Sequence, residues 1–279
     1  MTRVWTGLGM AAAFIAIVFL LPIEGFTIGL AAVALVLSWE YVRLARHWAP
    51  RLHLGLTALL TLGVGWVVAA ELSGQQPLTG GGLPEGGLLT LALLCSLSLG
   101  AGLQALFSRT PVADSLPVIG AVVFGALYVG VPFGTLLELR RHSPWMVVLA
   151  LAIVALGDIA GLYVGRAIGR RKLAAVVSPK KTWEGAIANF GAGLLATAAI
   201  AWWRVGEVEP ALLLVGGLAS VAGQLGDLVE SMLKRGAGVK DSGAMLPGHG
   251  GLLDRLDSLL FAAPVLWLCY LLLELEPLP

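Results

Sequence analysis

The chain has 279 residues, of which 58% are hydrophobic and only 13% are charged, with a formal net charge of +1. Soluble domains carry about 25% charged residues, and a soluble domain of this length cannot bury so much apolar surface. The composition therefore excludes an ordinary soluble protein and predicts an integral membrane protein with several helices. The small net charge argues against nucleic-acid binding by bulk electrostatics, so we expect no nucleic-acid partner.

Apolar runs long enough to cross a hydrocarbon core of about 30 Å recur along the whole chain. Backbone polar groups in lipid must be hydrogen-bonded within the protein, which favours helices over open strands. The sequence thus predicts an all-α polytopic membrane protein with about nine transmembrane helices. We expect these helices near residues 4–21, 25–43, 53–72, 87–107, 116–138, 144–167, 183–203, 210–233 and 258–275.

The distribution of lysine and arginine predicts the orientation of the chain, because cytoplasmic segments of membrane proteins are enriched in both. With a cytoplasmic N-terminus, all but three of the 18 basic residues fall on cytoplasmic segments. The three exceptions are Arg140, Arg141 and Arg204. This distribution predicts that loops at 168–182 and 234–257 face the cytoplasm.

The first in-span carboxylate of the second half is Asp158. A carboxylate in hydrocarbon is costly unless it is paired or coordinated, and Arg166 lies two turns further on as one candidate partner. Gly157, Gly161 and Gly165 are spaced by four and form a face that lets another helix approach closely. Whether paired or coordinated, Asp158 is predicted to face the protein interior.

A basic segment at 178–185 precedes the next predicted span. Ser178 or Thr182 can start that helix, and an acidic residue in its first turn suits the positive end of the helix dipole. Lys180 and Lys181 oppose the dipole unless an anion is bound there, as a phosphate group would be. The alternative is ordinary positive charge on a cytoplasmic loop.

The span at 210–233 carries a polar stripe towards its end. Asp227 and Glu230 are three residues apart, so they share a helix face. We expect Glu230 to pair with Lys234 at i, i+4, which leaves Asp227 as the in-span carboxylate most suited to chemistry.

The densest polar stretch runs from Ser231 to Asp257 and contains basic, acidic and histidine side chains among several glycines. Glycine lets backbone N–H groups approach an anion closely, and lysine and arginine neutralise it. Carboxylates beside such a cradle indicate a hard cation such as Mg²⁺. The stretch therefore predicts a metal–polyphosphate site, and the alternative is a solvated loop between two membrane helices.

The order of residues in this stretch resembles the phosphatidate cytidylyltransferase (CDP-diacylglycerol synthase) family. The family pattern is met by Ser231, Lys234, Arg235, Lys240, Asp241, Gly243, Leu246, Pro247, His249, Gly250, Gly251, Asp254, Arg255, Leu256 and Asp257. A second shared motif is Gly-Asp at 157–158 followed by Ser-Pro-Lys-Lys-Thr-x-Glu-Gly at 178–185. The resemblance covers residues 157–257, more than a third of the chain.

The resemblance implies transfer of the cytidylyl group of CTP to phosphatidic acid, giving CDP-diacylglycerol and pyrophosphate, at the cell inner (plasma) membrane. It implies in-line attack of the lipid phosphate on the α-phosphorus, with Mg²⁺ as cofactor, room for a second cation, and a site facing the cytoplasm. The expected partners are CTP, phosphatidic acid and the lipid bilayer, and a homodimer stays open. Residues 1–143 would be scaffold helices and residues 144–279 the catalytic region.

The same resemblance, together with the chemistry of each side chain, assigns residues to roles. The expected catalytic residues are Asp227, Lys240, Asp241, Asp254, Arg255 and Asp257. The expected substrate-binding residues are Ser178, Lys180, Lys181, Thr182, Lys234, Arg235, His249, Gly250 and Gly251. The expected metal-binding residues are Asp227, Asp254, Asp257 and Asp158.

Two other functions compete with this prediction. A secondary transporter for an anionic substrate also places charges in the membrane, but it should show related halves with interrupted helices. Here the charges gather in the second half only. A CTP-dependent polyprenol or phytol kinase would transfer the γ-phosphoryl group to an alcohol and release CDP, so the released product separates the two reactions.

Overall fold

The computed structural model describes residues 14–73, 85–107, 111–243, 245, 250–276 and 278–279. The described chain is almost entirely helical, and seven of its helices are long and apolar enough to cross a membrane. The predicted all-α polytopic fold is therefore confirmed. The total number of spans, the orientation of the N-terminus and the division into scaffold and catalytic regions stay predictions.

The described elements are helices, numbered here in chain order, and one β-hairpin. In chain order they are α1 (Ile23–Ala45), α2 (Leu54–Ser73), α3 (Glu85–Phe107), α4 (Ser115–His142), α5 (Pro144–Ile168), β1 (Lys172–Ala174), β2 (Ser178–Thr182), α6 (Trp183–Val205), α7 (Pro210–Gly236) and α8 (Leu253–Leu272). Residues 14–20 are also helical, and a 3₁₀ turn at Val112–Asp114 leads into α4. The apolar stretch of α3, Leu91–Phe107, is shorter than the other candidate spans.

Two polar connections differ from what the apolar runs predict. The segment at 168–182 contains an antiparallel hairpin rather than an irregular loop. Helix α8 begins at Leu253 rather than near residue 258, so Asp254 and Asp257 lie in its first two turns instead of in a loop. The apolar run begins only after Asp254 and Asp257, but the helix begins before them. Acidic residues are favourable in the first turns of a helix, because the helix dipole is positive at that end.

Helices α5 and α6 approach each other through glycines. A Cβ added at Gly161 would lie 3.1 Å from the carbonyl oxygen of Gly185, and one at Gly185 would lie 2.7 Å from that of Gly161. A Cβ at Gly157 would lie 2.7 Å from Oδ1 of Asn189. Larger side chains would push the two helices apart, so the predicted small-residue face on α5 is confirmed.

One continuous apolar core joins α1, α4, α5 and α8, and Tyr41, Leu137, Leu149 and Leu266 are buried within it. The Tyr41 hydroxyl donates a hydrogen bond of 2.8 Å to the carbonyl oxygen of Ala121, which satisfies its polar end. Large apolar side chains also cover the outside of the bundle, as expected for a protein whose solvent is lipid. The core places α1 in contact with both α7 and α8.

The three arginines that the predicted orientation places outside have structural partners. Arg141 forms an ion pair with Glu138, one helical turn earlier. Arg140 donates a hydrogen bond of 3.1 Å to the carbonyl oxygen of Leu21. Arg204 donates to a main-chain oxygen of Pro279 and lies over the ring of Trp145, 4.7 Å from its centroid. Their positions are thus explained by local contacts.

The predicted orientation can be tested with single cysteines at the two ends of α6. Val176 lies in the hairpin turn and is 90% exposed, and Glu207 is exposed in the connection after α6. In intact cells, a membrane-impermeant maleimide should label a cysteine at Glu207 and not one at Val176, with Cys95 and Cys269 replaced by serine. Both sites should react after permeabilisation. The reverse pattern would overturn the orientation.

Candidate active site

A cavity of about 510 Å³ lies between α5, the β-hairpin, α6 and α7. It is lined by Asp158, Lys180, Lys181 and Thr182 of the second motif and by Asp227 of α7. None of the described residues of the Ser231–Asp257 motif is in this lining. Arg166, Lys172, Asn189 and Gln224 contribute further polar side chains to its wall. The fold therefore brings together charged residues that are far apart in sequence.

The hairpin holds its two lysines directly before α6. In the hairpin, Lys172 lies opposite Thr182. The Thr182 hydroxyl accepts a hydrogen bond of 3.2 Å from the Gly185 N–H, so Thr182 is the N-cap of α6 as predicted. The Glu184 carboxylate accepts from the Arg171 N–H at 3.3 and 3.4 Å and ties the hairpin to the helix.

Lys181 reaches across the cavity to α7. Its Nζ lies 2.6 Å from Oδ2 of Asp227, and both side chains are a little over one quarter exposed. Ser231 also donates to Oδ1 of Asp227 at 3.3 Å. This ion pair joins the second motif, at the start of α6, to the in-span carboxylate that the sequence singled out.

Asp158 faces the cavity and is held by an amide. Asn189 Nδ2 donates a hydrogen bond of 3.2 Å to Oδ1 of Asp158, and Ser220 in turn donates to Oδ1 of Asn189 at 3.0 Å. The amide and hydroxyl fix the position of the carboxylate between α5, α6 and α7. Arg166, the partner considered from sequence, also lines the cavity.

A second polar network lies where α7 meets α8. Lys234 Nζ lies 2.5 Å from Oε2 of Glu230 and 2.6 Å from Oδ1 of Asp254. The predicted Glu230–Lys234 pair is therefore confirmed. The other oxygen of Asp254 accepts from the N–H and hydroxyl of Ser242, both at 2.9 Å, and from the Gly251 N–H at 2.8 Å. Asp254 thus closes the connection between α7 and α8, residues 237–252, onto α8. This connection is called the glycine-rich loop below.

This loop turns at glycines with left-handed backbone angles. Gly238 has a φ of 71° just after α7, and Gly250 has a φ of 81° just before α8. A Cβ at Gly250 would also lie 2.8 Å from Oδ2 of Asp254. Residues with a Cβ rarely adopt such angles, so both turns require glycine.

Several described residues predicted to be catalytic or substrate-binding lie neither in the cavity lining nor in the network around Lys234. Lys240, Asp241 and Arg255 are exposed, and Arg235 is exposed with its guanidinium donating to the Val239 carbonyl at 3.1 Å. Ser178 lies at the start of β2 and is not among the described residues that line the cavity. His249 lies outside the described residues. Their assigned roles stay predictions.

A model of the cytidylyltransferase family matches residues 1–273. The chain belongs to this family. The family resemblance drawn from the two motifs is thereby confirmed, and it extends from the second half to almost the whole chain. The cavity and the glycine-rich loop are accordingly the candidate active site of a cytidylyltransferase family member.

Individual family members support the same placement. The chain is similar to the phosphatidate cytidylyltransferase of Mycobacterium bovis, with 39% identity over 158 residues, covering 56% of this chain and 51% of that protein. For the phosphatidate cytidylyltransferases of Synechocystis sp. and Bacillus subtilis the identities are 46% over 129 and 40% over 157 residues. These matches cover 45% and 53% of this chain, and 43% and 57% of those proteins. The chain spans about half the length of these curated relatives.

The carboxylates of this family member fit a hard cation by their donor chemistry. Asp158, Asp227 and Asp257 lie close enough to interact electrostatically, and Asp257 is almost fully buried. Like charges gathered in a low-dielectric site need a counter-charge, and carboxylate oxygens are the ligands that Mg²⁺ prefers. Among the described residues, no group of three or more acidic, histidine or cysteine side chains converges on one point. The metal assignments stay predictions.

One buried acidic residue near this site escaped the sequence analysis. Glu40 of α1 is fully buried, and its carboxylate accepts hydrogen bonds from the Leu252 and Leu253 N–H groups at the start of α8. The available signal was a carboxylate inside an apolar run, which is usually functional in a membrane protein. It was missed because it lies in the half predicted to be scaffold.

Proposed function

We propose that this cytidylyltransferase family member transfers the cytidylyl group of CTP to phosphatidic acid, giving CDP-diacylglycerol and pyrophosphate. The observation that carries the proposal is the Lys181–Asp227 ion pair, which brings a lysine just before the N-terminus of α6 and an in-span carboxylate into one cavity. The names of the relatives, all phosphatidate cytidylyltransferases, support the choice of substrates.

In the proposed reaction, an oxygen of the lipid phosphate forms a bond to the α-phosphorus of CTP. The bond from that phosphorus to the oxygen bridging the α- and β-phosphates breaks, and its electron pair leaves with pyrophosphate. The attacking phosphate is already an anion near pH 7, so no strong general base is required. The main barrier is the approach of two anions, which fixed positive charges lower.

The protein offers these charges in two places. Lys180 and Lys181 precede the N-terminus of α6, where the helix dipole adds a further partial positive charge for an anion. The last turn of α7 exposes Arg235, and the glycine-rich loop after it exposes Lys240, beside turns that permit close backbone approach. We assign the hairpin lysines mainly to phosphatidic acid, whose tails stay in lipid, and the loop mainly to CTP.

A bound divalent cation such as Mg²⁺ would neutralise and align the triphosphate. Asp227, Asp254 and Asp257, together with Asp158, are the residues proposed to hold it. In the structure, the two oxygens of Asp254 already bind Lys234, Ser242 and Gly251. Asp227 likewise already binds Lys181 and Ser231, so a cation at Asp254 or Asp227 would have to replace one of these contacts.

The decisive experiment follows the two labels of CTP. Purified protein is supplied with phosphatidic acid, Mg²⁺ and CTP labelled at the α- or γ-phosphate. The α-label should enter the lipid fraction and the γ-label should appear as pyrophosphate. A γ-label in the lipid together with released CDP would instead establish the kinase alternative. A matched preparation of Asp227→Asn protein controls for contaminating enzymes.

A further inference from the structure

Glu40 is a buried carboxylate on α1 whose hydrogen-bond partners lie in the Ser231–Asp257 motif. It lies on α1 with no exposed surface. Its Oε1 accepts a hydrogen bond of 3.0 Å from the Leu252 N–H, and its Oε2 accepts one of 2.7 Å from the Leu253 N–H. These partners lie 212 and 213 residues further along the chain.

The two N–H groups lie at the N-terminus of α8, where backbone N–H groups have no acceptor within the helix. The first N–H groups of a helix have no partner within the helix and are usually capped by a nearby side chain. Leu252, the N-cap residue of α8, makes no side-chain hydrogen bond of this kind. Glu40 supplies the missing acceptors from another helix, and its negative charge also suits the positive end of the helix dipole.

The same carboxylate contacts the other end of the loop. The Ser242 hydroxyl lies 3.5 Å from Oε2 of Glu40 and 2.9 Å from Oδ2 of Asp254, so it stands between the two carboxylates. A Cβ at Gly243 would lie 2.7 Å from Oε1 of Glu40, and one at Gly251 would lie 2.7 Å from Oε2. Both ends of the segment from Ser242 to Leu253 therefore fold around one buried carboxylate.

We propose that Glu40 is a positioning residue of the active site, which fixes both described ends of the glycine-rich loop, at Ser242–Gly243 and at Gly251–Leu253, for binding the triphosphate of CTP. The inference rests on the proposed function. Glu40 acts through the loop and through the helix that carries Asp254 and Asp257, and it need not touch either substrate. Its effect should therefore fall on CTP and not on phosphatidic acid.

Charge and length are both needed at this position. Glutamine has the same length but only one acceptor oxygen, and its NH₂ group would face a backbone N–H, leaving that donor buried without a partner. Aspartate keeps the charge, but its shorter side chain cannot reach both N–H groups from α1. We expect Glu40→Gln to have the larger effect and Glu40→Asp to restore part of the loss.

Kinetics measured separately for each substrate test the proposal. Glu40→Gln should raise the KM for CTP by about tenfold, the effect of one lost charge-assisted hydrogen bond, and leave the KM for phosphatidic acid within about twofold. Glu138→Gln is the matched control, because Glu138 is equally buried but pairs with Arg141 at the other end of the bundle. A purely structural role for Glu40 would lower the amount of active protein, and hence the apparent kcat, with both KM values unchanged.

A second variant, Gly251→Ala, should push the Glu40 carboxylate out of its position while the glutamate itself is kept. The Cβ in Gly251→Ala would lie 2.3 Å from the Ser242 hydroxyl and within 2.8 Å of both Glu40 oxygens. It should raise the KM for CTP in the same way, and the double variant with Glu40→Gln should show less than the product of the two effects. If the increases in KM for CTP of the two single variants simply multiply in the double variant, Glu40 and Gly251 do not act through a shared contact.

A measurement without turnover separates this inference from the proposed function. Amide hydrogen exchange at Leu252 and Leu253 should become at least about tenfold faster in Glu40→Gln than in Glu138→Gln. Unchanged exchange, or an unchanged KM for CTP in an active Glu40→Gln enzyme, would overturn the role of Glu40. Failure of the wild-type protein to form CDP-diacylglycerol would overturn the proposed function instead, and exchange would still report whether Glu40 holds the loop.

Discussion

Replacing Asp227 by asparagine is expected to lower kcat by about 10³-fold while the protein still folds and inserts into the membrane. The substitution keeps the size of the side chain but removes the negative charge that a hard cation requires. Turnover at saturating CTP and phosphatidic acid, measured over a range of Mg²⁺ concentrations, checks this expectation. Asp114→Asn is the matched control, because Asp114 is exposed and lies before α4, away from the cavity. Near-normal activity of Asp227→Asn at ordinary Mg²⁺ would contradict the assignment.

The ion pair with Lys181 raises a second explanation for such a loss. Asp227 could act only by holding Lys181, since the two side chains are 2.6 Å apart. In that case, adding Asp227→Asn to Lys181→Ala would cause no further loss, because the contact is already broken. We expect the double variant to be clearly less active than Lys181→Ala alone, since Asp227 is proposed to bind the cation as well.

Lys181→Ala and Lys240→Ala are expected to affect different substrates. Removing one charge-assisted contact to a phosphate should raise the corresponding KM by about tenfold or more. Lys181→Ala should raise the KM for phosphatidic acid more than that for CTP, and Lys240→Ala should do the reverse. Kinetics with one substrate varied at a time, in mixed micelles of defined lipid content, would measure both constants.

Two controls make this comparison specific. Lysine acts as a point charge on a flexible stem, so Lys181→Arg should keep part of the activity that Lys181→Ala loses. Arg43→Ala removes an exposed basic residue that stacks on Trp39, outside both motifs, and should leave both KM values unchanged. Equal effects of Lys181→Ala and Lys240→Ala on the two substrates would indicate one shared anionic pocket rather than two.

The candidate site explains why charges accumulate in this part of a membrane protein. In the described residues, most of its ionisable groups are held by another polar group, such as Lys181 by Asp227 and Asp158 by Asn189. Such pairing offsets the cost of placing charges between apolar helices. A network of this kind also fixes the side chains before substrate binds, which favours catalysis by charge stabilisation.

The features that depend on neighbours in sequence could be predicted from the sequence itself. Apolar runs identified a helical membrane protein, because hydropathy and backbone hydrogen bonding are local requirements. The Glu230–Lys234 pair and the Thr182 cap followed from i, i+4 and N-cap geometry, which a single helix determines. The order of residues in the two motifs identified the family.

The contacts that assemble the site were decided only by the tertiary structure. Lys181 meets Asp227, Asn189 holds Asp158, and Glu40 caps α8 because of how the helices rotate and pack against one another. Helix packing depends on side-chain shape and on close approach at glycines, and no periodicity along one segment contains that information. The sequence by itself determined which residues are chemically suited to the site, and the packing of α1, α5, α6, α7 and α8 decided which of them meet.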